Sequence, residues 1–290
     1  QGYLYGRGAA DMKSGLAALA IALIEIKESG KLTQGTIKFM ATVGEEMEQS
    51  GSQQLFEKGY ADDLDALLIA EPSFPSLVYA HKGSMDFRIK SKGRASHSSL
   101  PFLGQNAIKP LLEFIQNINQ EYEKITQSVK GESLDFSNMI NNLGSQLPNH
   151  ITKEKAQELI QGLVMTNSIV QGGTQVNSVP DFATAEFNVR TIPEYNNNKV
   201  KALFNEYIEQ ANQNGASLTQ ELYLDLEPVV TTGQNRLVEL GFDIAKSHFS
   251  NERDLIVTPT VAVTDASNLL KGKDENFPFL MFGPGNGPHQ

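Results

Sequence analysis

The chain has 290 residues, 40% apolar and 20% charged, the make-up of an ordinary globular protein long enough for two domains. Its 34 acidic against 24 basic side chains leave a formal net charge of −10, which argues against nucleic acid or an anionic membrane as a partner. Cysteine is absent, which excludes disulfides, thiolate ligands and a thiol nucleophile and fits a cytoplasmic location; no run reaches the roughly 18 apolar residues that span a bilayer.

The chain opens on QGYLYGRG and closes on GPGNGPHQ, both in mid-motif, and reads as a portion of a longer protein. After Gly8, the segment 11–30 has apolar residues on nearly every face from Leu16 to Ile26, which predicts a buried helix closed by Gly30. Residues 36–43, TIKFMATV, predict a strand, SGSQQLFEKGY a short helix, and 65–70, DALLIA, a second strand. This alternation argues for a mostly parallel sheet with helices on its faces. From residue 84 the pattern changes. SMDFRIKSKG alternates apolar and polar, a helix follows over 106–123, and 127–153 is polar without period and reads as a long loop with one helical turn. GLVMTNSIVQGG and FATAEFNVRTI are two more alternating strands, 199–212 an amphipathic helix and 216–223 another strand. The order strand–helix–strand–strand–helix–strand predicts a ferredoxin-like sandwich with one open sheet face. Beyond 226 the first style returns: a helix over 236–247, a strand over 255–261, a helix from Ala266 and the strand PFLMFG. The fold class is therefore α/β, a catalytic domain of residues 1–83 and 226–290 interrupted by an inserted α+β domain of residues 84–225.

The acids fall at telling places. Glu45 and Glu46 follow the strand 36–43, Glu71 follows 65–70, His289 follows PFLMFG through a Gly/Pro turn, and Asp11 stands between a Gly-rich loop and a helix. Open α/β sheets bind ligands outside the carboxyl ends of their strands, and adjacent strands lie about 4.8 Å apart. Four carboxylates and an imidazole can thus meet in one pocket. Like charges so placed destabilise the fold, and metal ions relieve them. Carboxylate and imidazole without thiolate suit Zn²⁺, and also Mn²⁺ or Co²⁺. One carboxylate can bridge two ions about 3.5–4 Å apart. Of two neighbouring acids, one then turns to the metal while the other stands beside the attacking water as general base.

The segments GRGAADMKSG, GEEMEQSG, AEPS, GRASHSSLP, NSVP, TDAS and FGPGNGPH, in that order through the whole chain, resemble the co-catalytic zinc amidohydrolases. That family includes succinyl-diaminopimelate desuccinylase, acetylornithine deacetylase, aminoacylase and several di- and carboxypeptidases, and the likeness is nearest the desuccinylase branch. The resemblance implies Asp11 as bridging ligand with a cis peptide after it, Glu45 as general base, Glu46 and His289 as ligands of one zinc, and Glu71 as ligand of the other. The family's second ion also takes a His from an HxD motif upstream of Asp11. None is present, so either it lies outside this portion or that site is incomplete. The resemblance further implies two zinc ions per subunit and a homodimer built through residues 84–225. It makes His97 the histidine that reaches the partner's site to stabilise the oxyanion, and Asn177 and Arg190 the readers of the substrate carboxylate, for which the Arg fork is suited. The implied reaction is hydrolysis of an N-acyl amide on an amino acid, first N-succinyl-diaminopimelate. A di- or tripeptidase, an aminoacylase or deacetylase, and an inactive binding homologue are the alternatives.

Plainer readings exist. Glu45 and Glu46 alone are a solvated loop pair, Glu71 before Pro72 a turn residue, His289 a surface His and Asn177 a turn former. Arg190 is equally a sheet-surface ion-pair residue. Asp265 in VTDAS reads as a helix N-cap or structural partner, although the resemblance places its turn at the edge of the site, and His81, His150 and His248 read as structural or surface residues. GRGAAD resembles a phosphate loop but lacks the Lys, and its Asp would repel phosphate.

Overall fold

Two four-stranded sheets organise the protein, a computed structural model that describes residues 2, 4–249 and 254–285. The first holds β1 (Leu67–Pro72), β2 (Ser76–His81), β7 (Ile256–Thr260) and β8 (Phe279–Gly283) in the order β1-β8-β2-β7. Pairing is parallel for β1 with β8 and β2 with β7, and antiparallel between β2 and β8. Their apolar runs are buried on both faces. Leu67, Val78, Phe279 and Met281 face α2 (Ser50–Glu57) and α8 (Ala266–Leu269), while Leu77 and Leu280 face Val238 of α7 (Arg236–Phe249). The Cβ of an alanine at Gly241 would stand 2.7 Å from Leu280 Cδ2, so glycine lets α7 sit this close to the sheet.

The second sheet is wholly antiparallel, in the order β4-β5-β3-β6, from β3 (Ser84–Lys92), β4 (Val164–Gly172), β5 (Phe182–Arg190) and β6 (Leu218–Leu226). Period-2 alternation puts Phe87, Ile89, Ala185, Phe187 and Val189 under α3 (Ile108–Ser128) and α6 (Asn197–Gln213). These helices present Leu111, Phe114 and Ile118, and Val200, Leu203, Phe204 and Ile208, at helical spacing. Phe87 and Phe204 stack at 4.4 Å, with Phe114 and Phe187 edge-on around them. The opposite face is open and laced by Arg88–Glu186 (2.9 Å) and Lys90–Glu221 (2.7 Å). The expected sandwich is thus present.

Four expectations need correction. Residues 36–43 pair with no strand among the described residues, and Ile37, Phe39 and Val43 are exposed, because no neighbouring backbone supplies a ladder. The first helix forms, as α1 (Lys13–Ser29) capped by left-handed Gly30, but it is not buried: Gly15 alone is, and Ile21 and Ile24 are more than half exposed. β2 escaped the sequence reading because SLVYAH is six residues squeezed between Pro75 and Gly83. The expected long loop holds α4 (Ser137–Leu143), a 3₁₀ turn and the start of α5 (Lys153–Gln161). Its sparse apolar residues Leu134, Phe136 and Met139 pack against Ala80 and Tyr79 of the first sheet, and Asn138 Nδ2 donates to Val257 O at 2.9 Å, so the segment covers the edge strand β7.

The chain crosses between the sheets at residues 81–84 and returns at 226–229, where His81 and Val229 exchange backbone hydrogen bonds of 2.9 and 3.0 Å. A Cβ at Gly83 would fall 2.2 Å from Thr191 Oγ1 and 2.6 Å from Leu226 O, so only glycine fits the crossing.

Candidate active site

Glu45 and Glu46 sit in a tight turn between the segment 36–43 and α2. Gly44, at φ 76°, opens the turn, and its carbonyl accepts from Met47 N and Gln49 N. Gln49 is fully buried at φ 52°, an unusual conformation for a residue with a side chain. Its Nε2 donates to Glu45 Oε1 at 3.1 Å. Glu71 lies in β1 just before its end, beside the end of β8, and Asp11 directly precedes α1, where the bond to Met12 is cis. α2 and α8 are joined by a hydrogen bond from Asn268 Nδ2 to Ser52 Oγ of 3.0 Å, which brings Asp265, at the head of α8, to the same place.

Five carboxylates are therefore gathered in one neighbourhood, Asp11 hydrogen-bonded to Glu46 and Glu71 and the charges of Asp11 and Asp265 acting on Glu45 and Glu71, and no Lys or Arg forms an ion pair with any of them among the described residues. Burial pushes the Glu45 carboxyl up to about 7, helped by the charges of Asp265, Glu46 and Asp11 and opposed by the Gln49 hydrogen bond. Burial and a hydrogen bond with Asp11, then the charges of Glu45, Asp11 and Asp265, push Glu71 up to about 9. Glu46 is raised by burial and by Asp11. Asp265 makes no capping bond to α8; its Oδ2 accepts from Thr42 Oγ1, and its Oδ1 is buried without a partner.

Such a collection of partly desolvated carboxylates, with no cation paired to them among the described residues, fits a divalent metal by its chemistry, and the unpartnered Asp265 Oδ1 marks the same unmet negative charge. Among the described residues no three His, Asp or Glu side chains already stand at metal-holding spacing. His289 lies outside the described residues. The chain leading to it passes the cluster: a Cβ on Gly285 would lie 3.1 Å from Pro72 Cβ and 3.8 Å from Ala10 O.

The other expected site residues form separate groups. His97 and Asn177 are exposed on neighbouring loops, joined by the bridge of His97 with Ser178 and by Ser98 N donating to Asn177 O at 2.9 Å. His97 Nδ1 lies 2.7 Å from Ser99 Oγ. Arg190 ends β5, largely desolvated beside His81, Lys82 and Asp86; burial lowers its pKa, and it forms no ion pair at the sheet surface among the described residues. Among the described residues no hydrogen bond or ion pair links either group to the carboxylates. His150 and His248 are exposed, and His81 is fully buried. Thr42 and Gln49, which grip the acidic turn, carried no signal in the sequence, being ordinary polar residues whose partners are set by the folded turn.

The peptidase dimerisation domain matches residues 79–216. A probable succinyl-diaminopimelate desuccinylase of Staphylococcus aureus strain MRSA252 is 43% identical over 283 residues, 98% of this chain and 68% of that protein. One of Staphylococcus epidermidis strain ATCC 12228 is 43% identical over 284 residues, with the same shares. In fold the chain is similar to an M20 family metallo-carboxypeptidase of Sulfolobus solfataricus, at TM-score 0.70 and 18% identity over 95% of this chain and 68% of that one. The domain match and this identity along the chain converge on one conclusion: the chain belongs to the M20 family of metallopeptidases and amidohydrolases that includes succinyl-diaminopimelate desuccinylase, and it is a hydrolytic enzyme.

Proposed function

We propose that the protein hydrolyses an N-acyl amide on an amino acid, with N-succinyl-diaminopimelate as substrate and succinate and diaminopimelate as products. The observation that carries the reading is the group of neighbouring carboxylates, Asp11, Glu45, Glu46 and Glu71, with no basic partner among the described residues. The substrate follows from the 43% identity to probable desuccinylases.

In this reading Asp11, Glu46, Glu71 and His289 hold zinc, two ions per subunit, with cobalt or manganese as substitutes. Bound metal supplies Lewis-acid polarisation of the acyl carbonyl and acidifies water. Glu45 takes a proton from the attacking water as its oxygen bonds to the acyl carbon. Glu45 then returns that proton to the amine nitrogen as the C–N bond breaks. A carboxyl raised to about 7 is suited to both transfers near neutrality. His97 donates to the developing oxyanion in the partner's site, while Asn177 and Arg190 bind the substrate carboxylate. Residues 84–225 act as the dimerisation and lid domain, and 1–83 with 226–290 as the metal-binding domain of a homodimer.

The test is succinate release from N-succinyl-diaminopimelate by zinc-loaded protein, against dipeptide and N-acetyl amino-acid panels. Succinate release that chelation abolishes is the expected result. Turnover of dipeptides with none of the succinyl compound would overturn the substrate and keep the class; no zinc bound and no hydrolysis of any panel member would overturn the reading.

A further inference from the structure

His81 ends β2 at the crossing between the sheets, its ring fully buried. Nδ1 lies 2.7 Å from the Lys82 carbonyl oxygen, which can only accept, so Nδ1 carries the proton. In the neutral ring Nε2 is then an acceptor, and Thr264 Oγ1, 3.2 Å away, donates to it. The same hydroxyl oxygen accepts from Ala266 N at 3.2 Å. Thr264 is thus fixed on both sides, and with it the turn that carries Asp265. Asp265 in turn accepts from Thr42, three residues ahead of Glu45, across 223 positions of sequence. The His81 backbone pairs with Val229 on the return connection, so the ring is anchored by both crossings between the sheets.

We propose that His81 is a positioning residue for the acidic turn: through Thr264 it sets Asp265, and through Asp265 and Thr42 it holds the loop that presents Glu45 and Glu46. The hydrogen bonds carry the connection itself; its bearing on catalysis rests on the function proposed above.

Thr264→Val deletes the hydroxyl at nearly constant volume, Thr264→Ser keeps it, and His81→Leu removes the acceptor. Amide hydrogen exchange is read on the metal-free full chain. Thr264→Val speeds exchange over residues 42–51 by about fivefold, the loss of roughly one hydrogen bond, and leaves β3 and β5 unchanged. Thr264→Ser restores the parent rates. In the zinc-loaded enzyme Thr264→Val lowers kcat about tenfold with KM unchanged. Parent exchange rates over 42–51 in Thr264→Val would overturn the proposal, as would an equal rise over α7 and β8 or the same rise in Thr264→Ser. Should His81→Leu fail to fold, Thr264→Val decides alone. The expected exchange pattern in a protein without amide hydrolysis overturns the proposed function and leaves the relay standing.

Discussion

Glu45 and Glu46 are neighbours in one turn with different surroundings. Glu45 is half-buried, its Oε1 held by Gln49, and sees Asp265; Glu46 is exposed and sees Asp11. Side chains of adjacent residues diverge here because Gly44 and Gln49 tie the backbone into a turn. Glu45→Gln is expected to lower kcat by about 10²–10⁴ with metal content, read by elemental analysis, unchanged. Glu46→Gln is expected to lose bound metal; the opposite pattern would exchange the two roles. The pH response of the metal-free protein follows from two buried groups of opposite sign. Glu71 rises from 4.5 to about 9, so the folded state holds its proton more tightly, and stability is lost as pH climbs from 4.5 towards 9. Burial lowers His81 from 6.5 to about 4, so its contribution is intact above 6.5 and lost as pH falls towards 4. Glu45, raised from 4.5 to about 7, adds to the alkaline loss, so thermal melts of chelated protein are expected to fall as pH climbs from about 6 to 8, and zinc is expected to raise the melting temperature most on the alkaline side. A melting temperature of chelated protein that rises steadily from pH 6 to 9 would contradict the Glu71 environment.

Among the elements, α1 and β1 meet through a glycine. A Cβ at Gly15 would stand 2.0 Å from the Ala70 carbonyl oxygen, directly before Glu71. Gly15→Ala is therefore expected to push α1 off the sheet and destabilise the fold by about 2–4 kcal/mol, despite the better helix propensity of alanine. A chemical-denaturation midpoint equal to the parent's would show that the helix can shift without cost. Helices α3 and α6 were legible because their buried residues recur three and four apart, and β3, β5 and β6 because theirs alternate. The segment 36–43 has strand composition too, and no local signal tells a paired strand from a segment without a ladder; pairing depends on what lies beside it. Residues 127–153 hid α4 because a helix that covers a sheet edge needs only a few apolar anchors, here Met139 and Ile140, too few to show a period.

At the scale of the whole molecule, the two sheets communicate through two crossings and one buried lysine. Lys82 Nζ donates to Gly162 O at 2.6 Å and lies 5.7 Å from the centre of the Phe136 ring, tying the crossing to the segment that covers β7. Burial and the nearby Arg190 lower its pKa to about 8. The edge strand β4 leaves Ile169 and Val170 exposed, an uncovered apolar pair on a strand edge. If residues 84–225 form the homodimer surface, sedimentation of the parent gives a dimer, and Val170→Lys shifts it to monomer while its circular dichroism stays unchanged. A parent that sediments as a monomer at micromolar concentration would remove both the dimer and the role of His97 in a partner's site.

The sequence by itself determined the class of chemistry and the plan of the fold. Acids that follow apolar runs, an interrupted α/β pattern and alternating strands are local properties, visible at spacings of two to four residues. Only the tertiary structure decided which acids face one another, that Asp265 joins them rather than capping α8, and that Gln49, Thr42, Thr264 and His81 hold them in place. Those partners lie up to 223 residues apart. A hydrogen bond across such a distance leaves no period in either segment, because it is selected by the packing of α2 on α8 and of both on the sheet.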